Sequence, residues 1–491
     1  MRLRNPAIRA ALLACACAAL TTVALPGAAR ADEPVAASEP RLLSETAEVT
    51  SVVDAFDRED PFDLHITAGF QQIWKRTDIH RETELNQPGL STGGFVPFTE
   101  NVAKYAQDQS LLNLGADLGI FRDLALMFRL PIILSDTREL TDLDGSSAAS
   151  GRLTDASGTP LFKVPHTSPT RSGIDYFSVG LSWAALNQQR DFTKPTWVLG
   201  VEGRFGVGSP LHACNANPAV AVDSRSGGPL QQCPDPISGA NRDPGVSRGM
   251  YSIVGRTVIS RRFGWVEPYS GFEVMAEFPR TDTDFGQTNG LRGSLLNHPP
   301  IIGVFTIGME VIPWERREGF QRLAFDFRIQ GIYNSPGREY SELFDALGSS
   351  LSPALTSPNP GGYVGGPGGT SIADANAQKV YFAGITDQAA YGSLNTMLGV
   401  TWQAGEFVKF NATGGVRFNE SHLITAGDPC NPNLNADTAS AGPCHTVDGA
   451  TQRTTGIPNP NYRAIIDSPA RRFSADNTVI GTLMLSGTVM F

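Results

Sequence analysis

The stretch Leu112-Asn113-Leu114-Gly115-Ala116-Asp117-Leu118-Gly119-Ile120, joined by Phe121-Arg122-Asp123 to Leu124-Ala125-Leu126-Met127-Phe128-Arg129-Leu130-Pro131-Ile132, alternates apolar residues with polar or small ones on both sides of a three-residue turn. Period two is the signature of a strand with one apolar face, because successive side chains point to opposite sides. Leu112, Leu114, Ala116, Leu118 and Ile120 share one face, and Leu124, Leu126, Phe128, Leu130 and Ile132 resume it after the turn. The reading is a tight antiparallel hairpin.

The same alternation recurs along the chain. It starts with Phe62, Leu64, Ile66, Ala68 and Phe70 and returns near 174–185, 196–207, 250–260, 265–278, 300–312, 321–333, 388–403, 407–418 and 478–491. With the quoted hairpin this predicts about 12 strands, 14 being the alternative count. The connections alternate too: 121–123, 186–195, 261–264, 313–320 and 404–406 are short, whereas 75–109, 135–173, 208–249, 279–299, 334–387 and 419–477 are long and rich in Gly, Pro, Asn and Asp. A soluble sandwich has no reason to gather its long loops on one edge, but an outer-membrane barrel has short periplasmic turns and long outer loops. The predicted fold is therefore all-β, a single-chain antiparallel transmembrane barrel over 61–491.

Composition agrees. Only 18% of the 491 residues are charged, below the roughly 25% usual in soluble domains, while 51 glycines and 9% aromatics suit a large β protein. Beyond the first thirty positions no run of about 18 uncharged apolar residues exists, so a bilayer could be crossed only by a closed barrel. The first 31 residues read as a secretory signal: Arg2, Arg4 and Arg9, an uncharged stretch from Ala10 to Leu25, then Ala29-Arg30-Ala31 with cleavage expected after Ala31. The formal net charge is -10, and loss of the signal's arginines leaves acids in larger excess, which argues against nucleic acid as a partner.

Cys214 with Cys233 and Cys430 with Cys444 form two close pairs, each in one polar loop. Nearest-neighbour disulfides are the simplest pairing in an oxidising compartment, although four thiols allow three connectivities. A metal site is the weaker reading, since Cys-x-x-Cys spacing and paired histidines are missing. No cofactor or metal is expected. Trp183, Trp197, Trp265, Trp314 and Trp402 lie beside the short turns and Trp74 at the other end of the first strand, as an interfacial aromatic girdle requires. Val479, Gly481, Leu483, Leu485, Gly487, Val489 and Phe491 alternate up to a terminal Phe, similar to the strand that the outer-membrane assembly machinery recognises.

If the apolar face meets lipid, the other face lines the lumen. Its candidates are the acids Asp63, Asp117, Glu202, Glu273, Glu277 and Asp326, the bases Arg129, Arg204, Arg256, Arg328, Lys409 and Arg417, and His65. Balanced signs predict ion pairs that narrow the interior, where a single sign would predict ion selectivity. Residues 32–60 form an acidic, partly helical extension that either stays in the periplasm or enters the barrel as a plug. The Gly-rich stretch 359–370 reads as a loop tip, and Asp142-x-Asp144-Gly145 and Asp282-x-Asp284-x-Gly286 as Asx turns, not calcium loops. Most histidines fall in loops and no nucleophile constellation surrounds His65, so the chain is read as no enzyme; a barrel hydrolase would need such a cluster.

The hairpin Leu118-Gly119-Ile120-Phe121-Arg122-Asp123-Leu124-Ala125-Leu126, with Phe128-Arg129-Leu130-Pro131 following, resembles the Gly-x-x-(Asp-Arg or Arg-Asp)-Leu-x-Leu…Leu-Pro hairpin of the outer-membrane transporter-like family associated with the meta-pathway of phenol degradation. Those barrels are similar in plan to long-chain fatty-acid transporters. The likeness covers about twenty residues and implies passive uptake or efflux of small, hydrophobic or aromatic molecules across the outer membrane of a Gram-negative bacterium. It transfers no substrate residues. The expected partners are outer-membrane lipid, the barrel assembly machinery and a small solute. A surface-display barrel acting through its disulfide-bonded loops is the alternative.

Overall fold

The computed structural model describes residues 47–55, 63–86, 95–144, 153–155, 157–218, 231–365, 371–431 and 457–491. The chain divides into compact units 1–39 and 40–491, the first of which lies outside the described residues together with the expected signal. Twelve long strands follow in order: β1 (Leu64–Asn86), β2 (Phe95–Phe121), β3 (Leu124–Thr141), β4 (Tyr176–Leu186), β5 (Thr196–Gly206), β6 (Met250–Ser260), β7 (Val266–Pro279), β8 (Ile302–Arg316), β9 (Gln321–Asn334), β10 (Tyr391–Gly405), β11 (Val408–Asn419) and β12 (Phe473–Met490). Each pairs antiparallel with the next, and β12 returns to β1 with register His65↔Met490 through Arg81↔Phe473. The terminal residue completes the seam, Phe491 and Leu64 exchanging backbone hydrogen bonds of 2.9 and 3.1 Å. The sheet is a closed barrel, so no strand edge is left for lipid to solvate.

Period two then separates two environments. Phe70, Phe128, Val201, Ile253, Phe272, Phe327, Leu398, Phe418 and Leu485 are all exposed, and Leu398 keeps 62% of its surface. Soluble proteins seldom show apolar patches beyond a few hundred Å²; this belt runs round every strand and requires hydrocarbon outside it. All six tryptophans are exposed on the same outer face. Along β1 the belt reaches from Ile66 to Trp74, roughly 26 Å of strand, after which Arg76 pairs with Asp108 at 2.8 Å on the exterior.

The expected loop 75–109 is instead strand. β1 and β2 run to 23 and 27 residues, and only their tip, 87–94, lies outside the described residues. Alternation disappears from this stretch because a strand beyond the hydrocarbon no longer needs an apolar outer face, while its ladder with the neighbouring strand continues. The strand count is twelve, not fourteen. The expected helical character of 32–60 reduces, among the described residues, to a single 3-10 turn, Glu48–Thr50.

The protruding strands carry a second core. Ile79, Tyr105, Leu140, Phe473 and Ala475 pack against loop residues Leu153, Leu161, Phe162, Leu343, Leu347, Leu355, Phe382, Ile424 and Ile466, so the long loops form a packed cap at that end. A short helix, α1 (Phe344–Gly348), supplies Asp345. The Asp345 carboxylate takes Arg171 at 2.7 Å, Ser168 at 2.8 Å and the Cys214 backbone N–H at 3.0 Å. Burial pushes Asp345 up, yet Arg171 and Arg138 hold it below the ordinary carboxylate range. The Cys214–Cys233 disulfide is present; Cys444, the expected partner of Cys430, lies outside the described residues. Asp142 makes the expected Asx turn with the Asp144 N–H at 3.1 Å, and the Gly-rich stretch forms a small hairpin, Tyr363–Gly365 with Ser371–Ala373, around residues outside the described set.

Two outcomes follow. Phe327→Arg, in mid-belt, should cost about 2–4 kcal/mol of bilayer folding stability, whereas Phe407→Arg, at a short turn, should cost about 0–1; equal costs in a refolding titration would contradict the belt. In the cap, burial pushes the Asp387 carboxyl up to about 7, with Asp467 and Asp428 reinforcing it and Arg338 opposing. Burial likewise pushes Asp467 up to about 6, against N–H groups of Arg463 and Gly427. A carboxyl with a raised folded pKa stabilises fully below its unfolded value and loses that contribution as pH rises through the folded one. Going from about pH 5 to about pH 8 takes both carboxyls through their folded values and should therefore lower the protection factors, measured against the base-catalysed intrinsic exchange rate, of Thr386–Gln388 and Ala464–Asp467, and Asp387→Asn should flatten the response. Burial lowers His166 and His422, whose contributions run in the opposite sense and are gained as pH rises. Protection factors independent of pH here would refute the assignment.

Candidate functional site

A short segment identifies the interior face. Residues 47–55 touch Ser260 at the end of β6, Glu310 on β8 and Lys409 at the start of β11: Thr50 Oγ1 lies 2.9 Å from Ser260 Oγ, the Glu48 N–H donates to Glu310 Oε2 at 3.1 Å, and Lys409 Nζ donates to the Glu48 carboxylate at 2.9 and 3.0 Å. One extended segment can reach three such strands only from inside the closed wall. It lies at the short-turn end, where Thr50 keeps 1% and Ala55 1% of their surface. Of the expected 32–60 extension, residues 32–46 and 56–60 lie outside the described set.

The hairpin that decided the fold receives this segment. Ala55 and Arg122 exchange two backbone hydrogen bonds of 2.9 Å, although Arg122 holds φ at 47°, a left-handed conformation costly for any residue with a Cβ. A Cβ on Gly119 would stand 1.7 Å from the Asp54 carbonyl oxygen, so glycine here is required by the approach of another backbone. Asp123 accepts Arg190 Nε at 2.7 Å and Asn187 Nδ2 at 2.8 Å, tying the turn to the next short connection. Sequence reading treats the motif as a turn alone; the signal it contains is a glycine inside a strand, which marks close backbone approach.

The same inner face carries the expected charges. Asp117 and Arg129 pair at 2.6 Å, Glu202 and Arg204 at 2.9 Å, and Asp326 and Arg328 at 2.8 Å with Arg328 Nε also donating to Tyr269 Oη at 3.0 Å. Glu277 takes Arg248 at 2.7 Å and the Ser252 hydroxyl at 3.1 Å. Arg256 stands opposite Glu273 in register and donates to Met127 Sδ at 3.2 Å and Ser182 Oγ at 3.4 Å. Lys409 is committed to Glu48, and Arg322, which sequence reading missed, pairs with Glu310. His65 sits beside Met490 on the seam, and Asp63 offers its carbonyl to the Gly119 N–H at 2.9 Å. Arg417 differs: among the described residues it makes no hydrogen bond or ion pair, and its titratable neighbour is Tyr391.

Methionine forms a second pattern. Met127, Met250, Met397, Met484 and Met490 take inward positions, each between exposed neighbours or buried below 9%, and Met275 joins them through the inward Arg204 guanidinium at 3.5 Å, while Met309 faces outward. The inward positions of β4 are the short residues Ser178, Gly180, Ser182 and Ala184, and Arg256 of β6 reaches across β5 to the Ser182 hydroxyl. Among the described residues no group of three His, Cys, Asp or Glu side chains could hold a metal ion.

No protein-family profile matches the chain, and no curated protein matches it in sequence. Solved structures that resemble it include an outer membrane channel from Pseudomonas putida F1, with 8% identity, 86% of this chain and 95% of that chain covered and a TM-score of 0.31. A Pseudomonas aeruginosa FadL homologue shares 9% identity over 87% and 90% of the two chains at 0.29. The P. putida toluene transporter TodX shares 10% over 92% and 93% at 0.30. Likeness at that level speaks to no site and no substrate.

Proposed function

We propose that the chain is an outer-membrane conduit for small molecules, closed at rest at both ends. The observation that carries this reading is the segment 47–55: it fills the short-turn mouth through two ion pairs, Glu48–Lys409 and Asp54–Arg190, and a few hydrogen bonds, not as a strand of the wall. Such contacts can be exchanged for water without opening the barrel ladder. The self-neutralised charges line a polar passage behind the segment, and the inward methionines supply flexible, polarisable surface that accepts rings and apolar bodies through sulfur–aromatic contacts. The passage thus suits small solutes with an aromatic or apolar part. In this reading the short turns and residues 47–55 face the periplasm, the cap faces outward, the alternating row ending at Phe491 is offered to the assembly machinery before β12 closes onto β1, and the signal is cleaved after Ala31.

Gly119→Ala is the direct test, because its Cβ cannot coexist with Asp54 while the hairpin itself tolerates alanine. Vesicles holding the wild-type protein should admit a phenyl glucoside faster than protein-free vesicles, and Gly119→Ala should raise that rate several-fold at unchanged barrel folding. Uptake at the protein-free rate by both proteins would overturn the proposal.

A further inference from the structure

Among the described residues the other inward arginines and lysines of the wall have a carboxylate, a thioether, a hydroxyl or a backbone carbonyl as partner, whereas Arg417 on β11 makes no hydrogen bond or ion pair with them. It is flanked by exposed Val416 and Phe418, so it points inward, and its register neighbours are Asn395 on β10 and Ile480 on β12. The Asn395 amide nitrogen donates to Gln330 Oε1 at 2.8 Å, and its oxygen makes no hydrogen bond with Arg417. One inward position further toward the cap, roughly 7 Å along the strands, Ser393 and Asn419 face each other in register. The Ser393 hydroxyl and the Asn419 amide oxygen are both buried without a hydrogen-bond partner. Next above them Tyr391 stacks on His422 with ring centroids 3.8 Å apart. Lys75, two strands away in the Arg417 row, is neutralised by Glu342 of the cap at 2.7 Å.

The two orphaned polar atoms each carry a desolvation penalty unless something completes them, and the half-buried Arg417 guanidinium one inward position away has no anion among the described residues. We propose that this stretch of the inner wall beneath the cap is a binding subsite for a small hydroxylated carboxylate. The carboxylate meets the planar fork of Arg417 in bidentate fashion. A ligand hydroxyl donates to the Asn419 oxygen, and Ser393 donates or accepts alongside. The charge arithmetic selects a monoanion: Arg417 is one free positive charge, because Glu342 already cancels Lys75, so a phosphate dianion would be left half compensated next to Glu342.

The subsite rests on the conduit reading for its use but not for its detection. Equilibrium dialysis of the full-length protein in micelles near neutral pH compares 4-hydroxybenzoate with its neutral counterpart 4-hydroxybenzamide, and needs no transport. The acid should bind at least about tenfold more tightly than the amide, a difference of about 1.4 kcal/mol. Arg417→Gln should abolish that preference, and Arg417→Lys, which keeps charge and loses the fork, should retain part of it; heat-modifiable gel migration reports that each variant is folded. Equal binding of acid and amide, or an acid affinity unchanged in Arg417→Gln, would overturn the subsite. Failure of phenyl glucoside uptake with selective acid binding intact would instead sink the conduit and leave the subsite standing.

Discussion

Closure of the backbone ladder between β1 and β12 governs everything else in this molecule. An unpaired N–H or C=O in hydrocarbon costs several kcal/mol, so a sheet that spans lipid must have no edge. Once closed, the sheet has an outside and an inside, and period two sends every second side chain to each. The belt from Phe70 to Leu485 and the inner ion pairs are two consequences of that single condition. Charges that would be costly in lipid are forced inward, where they must pair or find other company.

The two ends are closed by different physics. At the long-loop end a buried apolar core, the Asp345 hub and the Cys214–Cys233 disulfide bind many loop segments into one cap. At the short-turn end nine residues are held by Glu48–Lys409, Thr50–Ser260 and the Ala55–Arg122 exchange. The first closure is built like a protein interior and the second like a reversible contact. Gly119 sits at the meeting point of wall and segment, which explains why a strand gives up a side chain there.

Most of the wall was legible in the sequence because hydrocarbon imposes a rule on each position it touches. Leu112 to Ile120 and Leu124 to Ile132 show that rule without interruption, and all twelve strands fall where alternation places them. Beyond Trp74 the rule lapses: Lys75, Arg76, Asp78, His80 and Arg81 put charge on both faces, so the strand extensions read as loop. Inward positions such as Arg417 were legible by parity, but their partners were not, since Glu48 reaches Lys409 across a separation of 361 residues and nothing local marks it. The cap was illegible for the same reason. Asp345, Arg171 and Cys214 belong to distant loops that only the closed wall brings together.

Spin labels placed singly along β10 from Leu394 to Trp402 test the central claim most directly. Oxygen, which concentrates in hydrocarbon, should relax labels at Leu394, Thr396, Leu398, Val400 and Trp402 strongly, and labels at Asn395, Met397, Gly399 and Thr401 weakly, giving an unbroken period of two. A flat profile, or strong oxygen relaxation at the odd positions, would show that this wall does not divide lipid from an interior and would contradict the account.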